Sequence, residues 1–542
     1  MVRPLATSAL ALILGAGPIL ADVTPAQVWE NLQTSGADYG YQVTGTVEDA
    51  GGTLTVTDAV FSRTGDGGNS TMTVPQMTFQ QTGDAKVRVV IEGDVAVDSR
   101  FSVPAPADPE ETAEGAEPAP DTPGAETGGA GAPEMVEMTM TGTISASGNE
   151  TLVSGTPEDM LYEYRFPTLA FDFTLPTEAS RGDATIPVTG TITDLTGSQR
   201  SVRAGDGIQT THDLNATRAE VQVAATMPGD QTGAGGGTMN FQVAVNALAA
   251  QGTGTTPGQP FDLGTQMTEA LAAGLMLDSA LTFQSLEGSF DLAGKNDRGE
   301  EQTAQGSFAS GASNLSFTLS GAGLAYKAGS ADARAEVTLG NLPFPISYGI
   351  QQISADMLIP VARGEAPQPF NFAYALQGLT FGDGLWNLFD PQNQLPRDPA
   401  SLSVDLSGDV VLNQNLFDVA PPSVQTDANG MPVAENPLVP DTLTVNRVAL
   451  DAVGAKADLT GTLEFGDNPD QPVGRLNGTF EGINGLMDKV VAMGLVPEQQ
   501  AMGMRMMLAM FAQPDQDNPD RLTTEIEFRE GGRIFANGQQ IR

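Results

Sequence analysis

The chain has 542 residues, with 67 Asp and Glu against 25 Lys and Arg, for a formal charge of −42. A field of that sign repels nucleic acid and anionic lipid surfaces, so neither is an expected partner. With no Cys and a single His, the chain has no disulfide framework, no thiol nucleophile and no site needing two imidazoles.

Arg3, the apolar run Leu10 to Leu20 and the small Ala21 come in the order of a secretory signal peptide. Residues 1–21 are therefore expected to be cleaved after Ala21, placing the mature chain in the periplasm. After Ala21 no apolar run reaches the length of a spanning helix, so no transmembrane segment is expected. Thr24-Pro25-Ala26-Gln27 is a capping box with Pro at the first helical position. Val28, Trp29 and Leu32 give that helix an apolar side, and Gly36 is its expected stop.

From Tyr41 the period changes to two. Thr53 to Phe61 and Lys86 to Val97 read as strands. Residues 104–134, rich in Pro, Glu, Ala and Gly, hold too little apolar surface to offset the entropy of ordering and are expected to be a disordered acidic insertion. Further rows follow: Tyr162, Tyr164, Phe166; then Leu169, Phe171, Phe173, Leu175; then Val221, Val223, Ala225, Met227; then Met239, Phe241, Val243, Val245. Apolar and polar residues alternate cleanly, which predicts antiparallel strands with one dry face. Consecutive strands separated by Gly-rich turns need no crossover, so the expected topology is a meander.

Two stretches register at an offset of 184. Tyr164 to Thr196 lies on Tyr348 to Thr380, matching Tyr164 with Tyr348, Asp172 with Asp356 and Pro176 with Pro360. A helix expected over Leu263 to Leu277 matches one over Ile483 to Leu495 at an offset of 220. The difference is assigned to a Pro-rich loop insertion at about 413–442. The expected fold class is mainly β (α+β): two tandem curved antiparallel sheets, each with one or two helices packed on its apolar face. The first unit is 22–290 and the second 291–542. A further helix from Pro497 to Phe511 carries Met502, Met504, Met506, Met507 and Met510 on two faces. Core filling is the expectation for it.

No phosphate-cradling or dinucleotide-binding glycine pattern is present, and His212 lacks a nucleophile elbow to serve. Asp515 to Asp520 is oxygen-rich but lacks the central Gly and final Glu of a calcium loop. No catalytic, cofactor or metal residue is assigned, and a non-enzymatic protein is expected. The most distinctive stretch is Asp383 to Gly408. Asp383 is expected to cap a turn gathering Leu385, Trp386, Leu388 and Phe389, and Arg397 to pair with Asp390 or Asp398. This is either a packed plug closing the sheet or a lid or docking loop carried by Trp386, Phe389, Arg397 and Asp398.

The run LWNLFDPQNQLPRDP (Leu385 to Pro399), the leader, Gly485 to Leu495 and Gly532 to Gln539 resemble the secreted alphaproteobacterial domain-of-unknown-function family 2125. The resemblance implies an envelope location and carries no functional residue. In architecture alone, a leading helix, long antiparallel strands and an apolar face look like periplasmic lipoprotein carriers and groove-type lipid-transfer proteins. The first functional expectation is therefore an apolar groove for acyl chains or a lipidated envelope protein, lined by Tyr164, Phe171, Phe173, Tyr348, Phe370 and Phe372. The alternatives are a structural or protein-interaction role with sealed cores, and a carboxylate hydrolase.

Overall fold

The computed structural model describes residues 23–542 apart from 39, 66–67, 105–134, 177–184, 206, 228–235, 260, 262, 264, 297, 419–423, 427–431, 435–436, 467 and 519. The expected signal peptide and nearly all of the expected acidic insertion lie outside the described residues. Helix α1 (Pro25–Asp38) opens with the capping box read from the sequence. The Gln27 N–H donates to Thr24 Oγ1 at 3.3 Å, and the Thr24 N–H donates to Gln27 Oε1 at 2.9 Å. Gly36 does not end the helix. It lies against Val43, where a Cβ would come within 2.6 Å of Val43 Cγ2, and the turn out is made at Gly40 (φ 80°).

The strands then run as a meander. β1 (Gln42–Asp49), β2 (Thr53–Gly65) and β3 (Gly68–Gln81) pair in sequence. The next row is one strand broken at Gly93-Asp94 into β4 (Val87–Glu92) and β5 (Val95–Pro104), both hydrogen-bonded to β3. The row after it breaks at Gly148-Asn149 into β6 (Met135–Ser147) and β7 (Glu150–Thr156). β8 (Asp159–Pro176) spans both pieces, and β9 (Thr185–Ala204), β10 (Gly207–Met227) and β11 (Gly237–Thr256) follow.

Helix α2 (Met267–Ala272) stands at the rim, before β12 (Met276–Phe283) and β13 (Ser285–Lys295), which share the free side of β11. It is shorter than the expected Leu263 to Leu277, because Leu277 is already paired in β12 with Gly254. β14 (Glu301–Ser310) and β15 (Ser313–Ser320) make another split row. β16 (Gly323–Leu339) bridges it and leads to β17 (Ile346–Ile359), β18 (Gln368–Phe381), α3 (Asp383–Phe389) and β19 (Ala400–Leu412). Within the expected 413–442 loop, β20 (Val424–Thr426) and β21 (Pro432–Ala434) form a small separate hairpin, and its last residues begin β22 (Leu438–Ala452). β23 (Ala455–Glu464) and β24 (Val473–Glu481) continue the sheet. Helices α4 (Ile483–Ala492) and α5 (Glu498–Phe511) form a hairpin before β25 (Gln513–Pro514), β26 (Arg521–Arg529), β27 (Arg533–Ala536) and β28 (Gln539–Gln540).

The mainly β class and the antiparallel pairing are as expected. The expected boundary at 290/291 falls inside β13, which is hydrogen-bonded on one side to β11 and on the other to β14. Both halves of the chain therefore lie in one sheet.

A crease crosses the sheet from β2 to β18. Asp58, Gly93, Gly148, Asp194, Ala247, Asp332 and Gly378 lie on it, all with positive φ. At each row the ladder omits a step. Thr196 faces Asn215, for instance, and the next paired residues are Thr193 and Arg218. The two strands skip the same number of residues, so the register is kept across the break while the alternation within each strand shifts by one. These breaks in line divide the sheet into two walls, and the apolar side that the walls share is termed the trough. Wall A carries Leu169 to Leu175 of β8, and wall B carries Met160 to Phe166 of the same strand, with Pro167 between them. Beyond β18 only wall B continues, since Leu379 pairs with Ala400 at the very start of β19.

Candidate lipid-binding trough

The register settles which side chains share the apolar face. On wall A, Phe173 lies opposite Val188, Val188 opposite Val223, and Val223 opposite Phe241. The same face continues through Phe290 and Gly306 to Val337 and Ile346. On wall B, Leu319 lies opposite Leu324 and Leu324 opposite Ile359, and the same face continues through Phe372 and Leu406, Val404 and Val448, and Leu459 to Leu476 and Ile526. Among the described residues, no inward ladder position from β8 to β26 holds an Asp, Glu or Lys, and Arg203 at the end of β9 is the one inward Arg. The carboxylates sit on the outer face, where Asp159, Asp356 and Asp458 pair with Arg200, Lys327 and Arg447.

Glycines keep the floor of wall A low. A Cβ on Gly190 would come within 2.2 Å of the Phe171 ring, and one on Gly288 within 2.2 Å of the Phe308 ring. These rings lie across the neighbouring strand instead of standing up into the trough. Phe308 reaches over Gly288 to stack on Phe241, with centroids 6.0 Å apart. This pairing of an aromatic ring with a cross-strand glycine repairs the packing that the glycine lacks.

The six residues expected to line a groove all lie on this apolar face, divided between the walls. Phe171, Phe173 and Tyr348 are on wall A; Tyr164, Phe370 and Phe372 are on wall B. The face is open over much of its length, with Tyr348 44 % and Phe372 43 % exposed.

The N-terminal end is closed. α1 lies on wall B and buries Val28 and Trp29 against Phe79, Val56, Val87, Val153 and Met160. Where α1 stops, a cavity of about 230 Å³ remains between Leu32, Tyr162, Tyr164, Phe166 and Ile208, with Gln199, Ser201 and Thr210 beside them. The Tyr162 hydroxyl donates to Asn31 Oδ1 at 2.6 Å. Burial pushes the Tyr162 phenol well above its ordinary pKa and the Tyr164 phenol up to about 12, so both stay neutral donors. His212, the lone imidazole, lies on the inner face over Gly252. At the rim, α2 packs Leu271 and Leu275 onto Leu319 and Val361.

The Asp383 to Gly408 stretch stands where wall A ends. Trp386 is buried and meets Phe381 edge-on at 6.4 Å and Phe389 at 5.0 Å. Arg397 lies over the Trp386 ring at 5.3 Å and donates to Asp383 Oδ1 at 2.7 Å and to the Asp390 carbonyl at 3.4 Å. The pairing expected with the Asp390 or Asp398 carboxylate is thus made with Asp383, because Gly382 takes the N-cap position and leaves Asp383 free to turn to Arg397. The Asp390 carboxylate instead accepts the N–H groups of Gln394 at 2.8 Å and Leu395 at 2.9 Å and is buried. Leu388 is 58 % exposed and Asp398 is exposed.

Burial alone would raise the Asp390 pKa. The two N–H donors and Arg397 outweigh it and hold the carboxyl below its ordinary value. A depressed carboxyl contributes stability that is present above its unfolded pKa and is lost as pH falls through the folded one. The plug is therefore expected to loosen below about pH 4. Trp386 fluorescence during acid titration measures this, and Asp390→Asn should abolish the transition. A transition unchanged in that variant would assign it elsewhere.

Among the described residues, no three His, Cys, Asp or Glu side chains converge as a metal site requires. In the oxygen-rich run, Asp515 caps the Asp517 N–H at 2.9 Å and lies 4.0 Å from Arg521.

No curated protein and no solved structure matches the chain. Residues 280–536, from within β12 to the end of β27 and including Leu385 to Pro399 and α4, match the model of an uncharacterised bacterial protein family, described as "Uncharacterized protein conserved in bacteria (DUF2125)".

Proposed function

We propose that the chain is a non-enzymatic protein of the periplasm or cell envelope that shelters lipid acyl chains, or the acyl part of a lipidated partner, in the trough. The observation that carries this reading is the inner face, which among the described residues holds no Asp, Glu or Lys from β8 to β26 and a single Arg at its edge, and which is left half-open. An apolar face of that extent far exceeds what a soluble monomer exposes without use. Each buried CH₂ contributes about 0.8 kcal/mol. At about 4.8 Å per strand row, a chain of roughly sixteen carbons covers four or five rows, so the trough has room for several. The leader read at the N-terminus supports export. The alternative of a sealed structural core is favoured only where α1 covers β2 to β8.

Gently purified protein, extracted with organic solvent, is expected to release phospholipid or fatty acid in at least equimolar amount by mass spectrometry. Phe171→Asp on wall A and Phe372→Asp on wall B should each lose most of it, because a carboxylate on this face has no partner and must keep its water. Protein that carries no lipid, and takes up no fluorescent fatty acid when offered it, would end the proposal.

A further inference from the structure

Helix α5 presents to solvent what a helix ordinarily hides. Ala501 is buried and Leu508 half-buried, and these fix the seam by which α5 rests on its neighbours. Arg505, beside that seam, pairs with Asp488 of α4. At about 100° per residue, Met502, Met506, Met510, Met507, Phe511 and Met504 succeed one another around roughly 200° of the opposite side. Their exposures run from 38 % for Phe511 to 68 % for Met506. No charged residue interrupts this arc, and Leu495 in the turn between α4 and α5 extends it at 52 % exposure.

We infer that α5 inserts into the surface of a bilayer of uncharged or zwitterionic lipid. The width of the arc selects this occupant. A protein groove receives one stripe of a helix, about half this width, and would leave the remaining methionines in water. Hydrocarbon solvates the whole arc at once, and Met side chains adapt to an irregular surface. The net charge of −42 opposes anionic headgroups, which points to neutral ones. The position of the helix agrees. The Phe511 carbonyl accepts the Thr524 hydroxyl and, at 2.9 Å, the Asn537 amide, and Thr524 lies on the inner face beside Leu522 and Ile526. The arc is thus joined to the C-terminal end of wall B, at the opposite end of the apolar face from α1. An acyl chain passing between trough and bilayer would stay beside apolar surface throughout. This role rests on the acyl-chain reading; the membrane contact itself does not.

The test is flotation of the full mature chain with phosphatidylcholine vesicles, with and without added phosphatidylglycerol. The protein should float with phosphatidylcholine, less with the anionic mixture, and the Met506→Glu/Met510→Glu variant should lose about tenfold or more of the binding. Circular dichroism checks that the variant is folded. Its organic extract should match that of the parent, which separates failure of the contact from failure of the trough. Met506→Trp offers a second readout, a blue shift of added fluorescence on vesicles. A parent protein that stays with the unbound fraction, or a double variant that floats as well as the parent, would overturn the inference. So would a concentration-dependent dimer in sedimentation that the double variant abolishes, since the arc would then belong to a second copy.

Discussion

Phe79→Ala is expected to cost about 3–5 kcal/mol and to release α1 from the sheet. Phe79 is fully buried on β3 and meets Trp29 edge-on, with ring centroids 6.0 Å apart. Its loss empties the centre of the N-terminal cluster, where Val28, Val56, Val87 and Met160 also converge. The rows of this sheet touch mainly their neighbours, so the loss should remain local. Hydrogen exchange is expected to show protection lost over α1 and β1 to β4, and retained in β22 to β26. Uniform loss across the chain would show that the trough unfolds as a single cooperative body.

Asn149→Ala is expected to cost about 2–3 kcal/mol although no apolar packing is lost. Asn149 is buried at the crease between β6 and β7. Its Oδ1 accepts the Ile91 N–H at 2.8 Å, and its amide donates to the Ile91 and Ala146 carbonyls, each at 2.7 Å. Here the ladder has been interrupted and one side chain supplies what the backbone lacks. Alanine leaves three part-buried backbone groups without those partners. Asn149→Asp keeps the acceptor, forfeits both donations and adds a buried charge, so it should be no better. Urea denaturation measures both. A loss under about 0.5 kcal/mol for the alanine variant would mean that water replaces the amide at the crease.

Much of this architecture was legible because alternation reports directly on which side chains share a face. The rows Phe171 to Leu175 and Met239 to Val245, the capping box at Thr24 and the positions of α4 and α5 all follow from local pattern. The crease appears in the sequence only as a change of phase between two rows. Phe166 and Leu169 are three apart, which reads as two strands, whereas one strand runs through Pro167 with its register to β9 kept. The 184-residue offset places Pro167 on Gln351, both at the crease. Their strands run in opposite senses, so Tyr164 and Tyr348 fall on different walls. The boundary near 290 could not be read because pairing between β11, β13 and β14 is a long-range choice that composition does not mark. The exposure of α5 escaped for a related reason. A methionine stripe tells that a helix has an apolar side, and only the rest of the fold tells whether anything covers it. The role of Asp390 was hidden likewise, since its partners are backbone groups that no side-chain pattern encodes.

The crease has one more consequence. It fixes the cross-section of the trough strand by strand, through left-handed residues in seven of its rows and a break in the ladder at each, and it refers to nothing beyond the adjacent row. Length is set separately, by how many hairpins are strung together. A hairpin gained or lost between β8 and β18, with its break in line, would change the span by about 10 Å and leave both walls continuous. Bore and reach are thus independent variables in this chain, and an ancestor could have lengthened its gutter by duplicating a pair of strands without redesigning a single contact at either end.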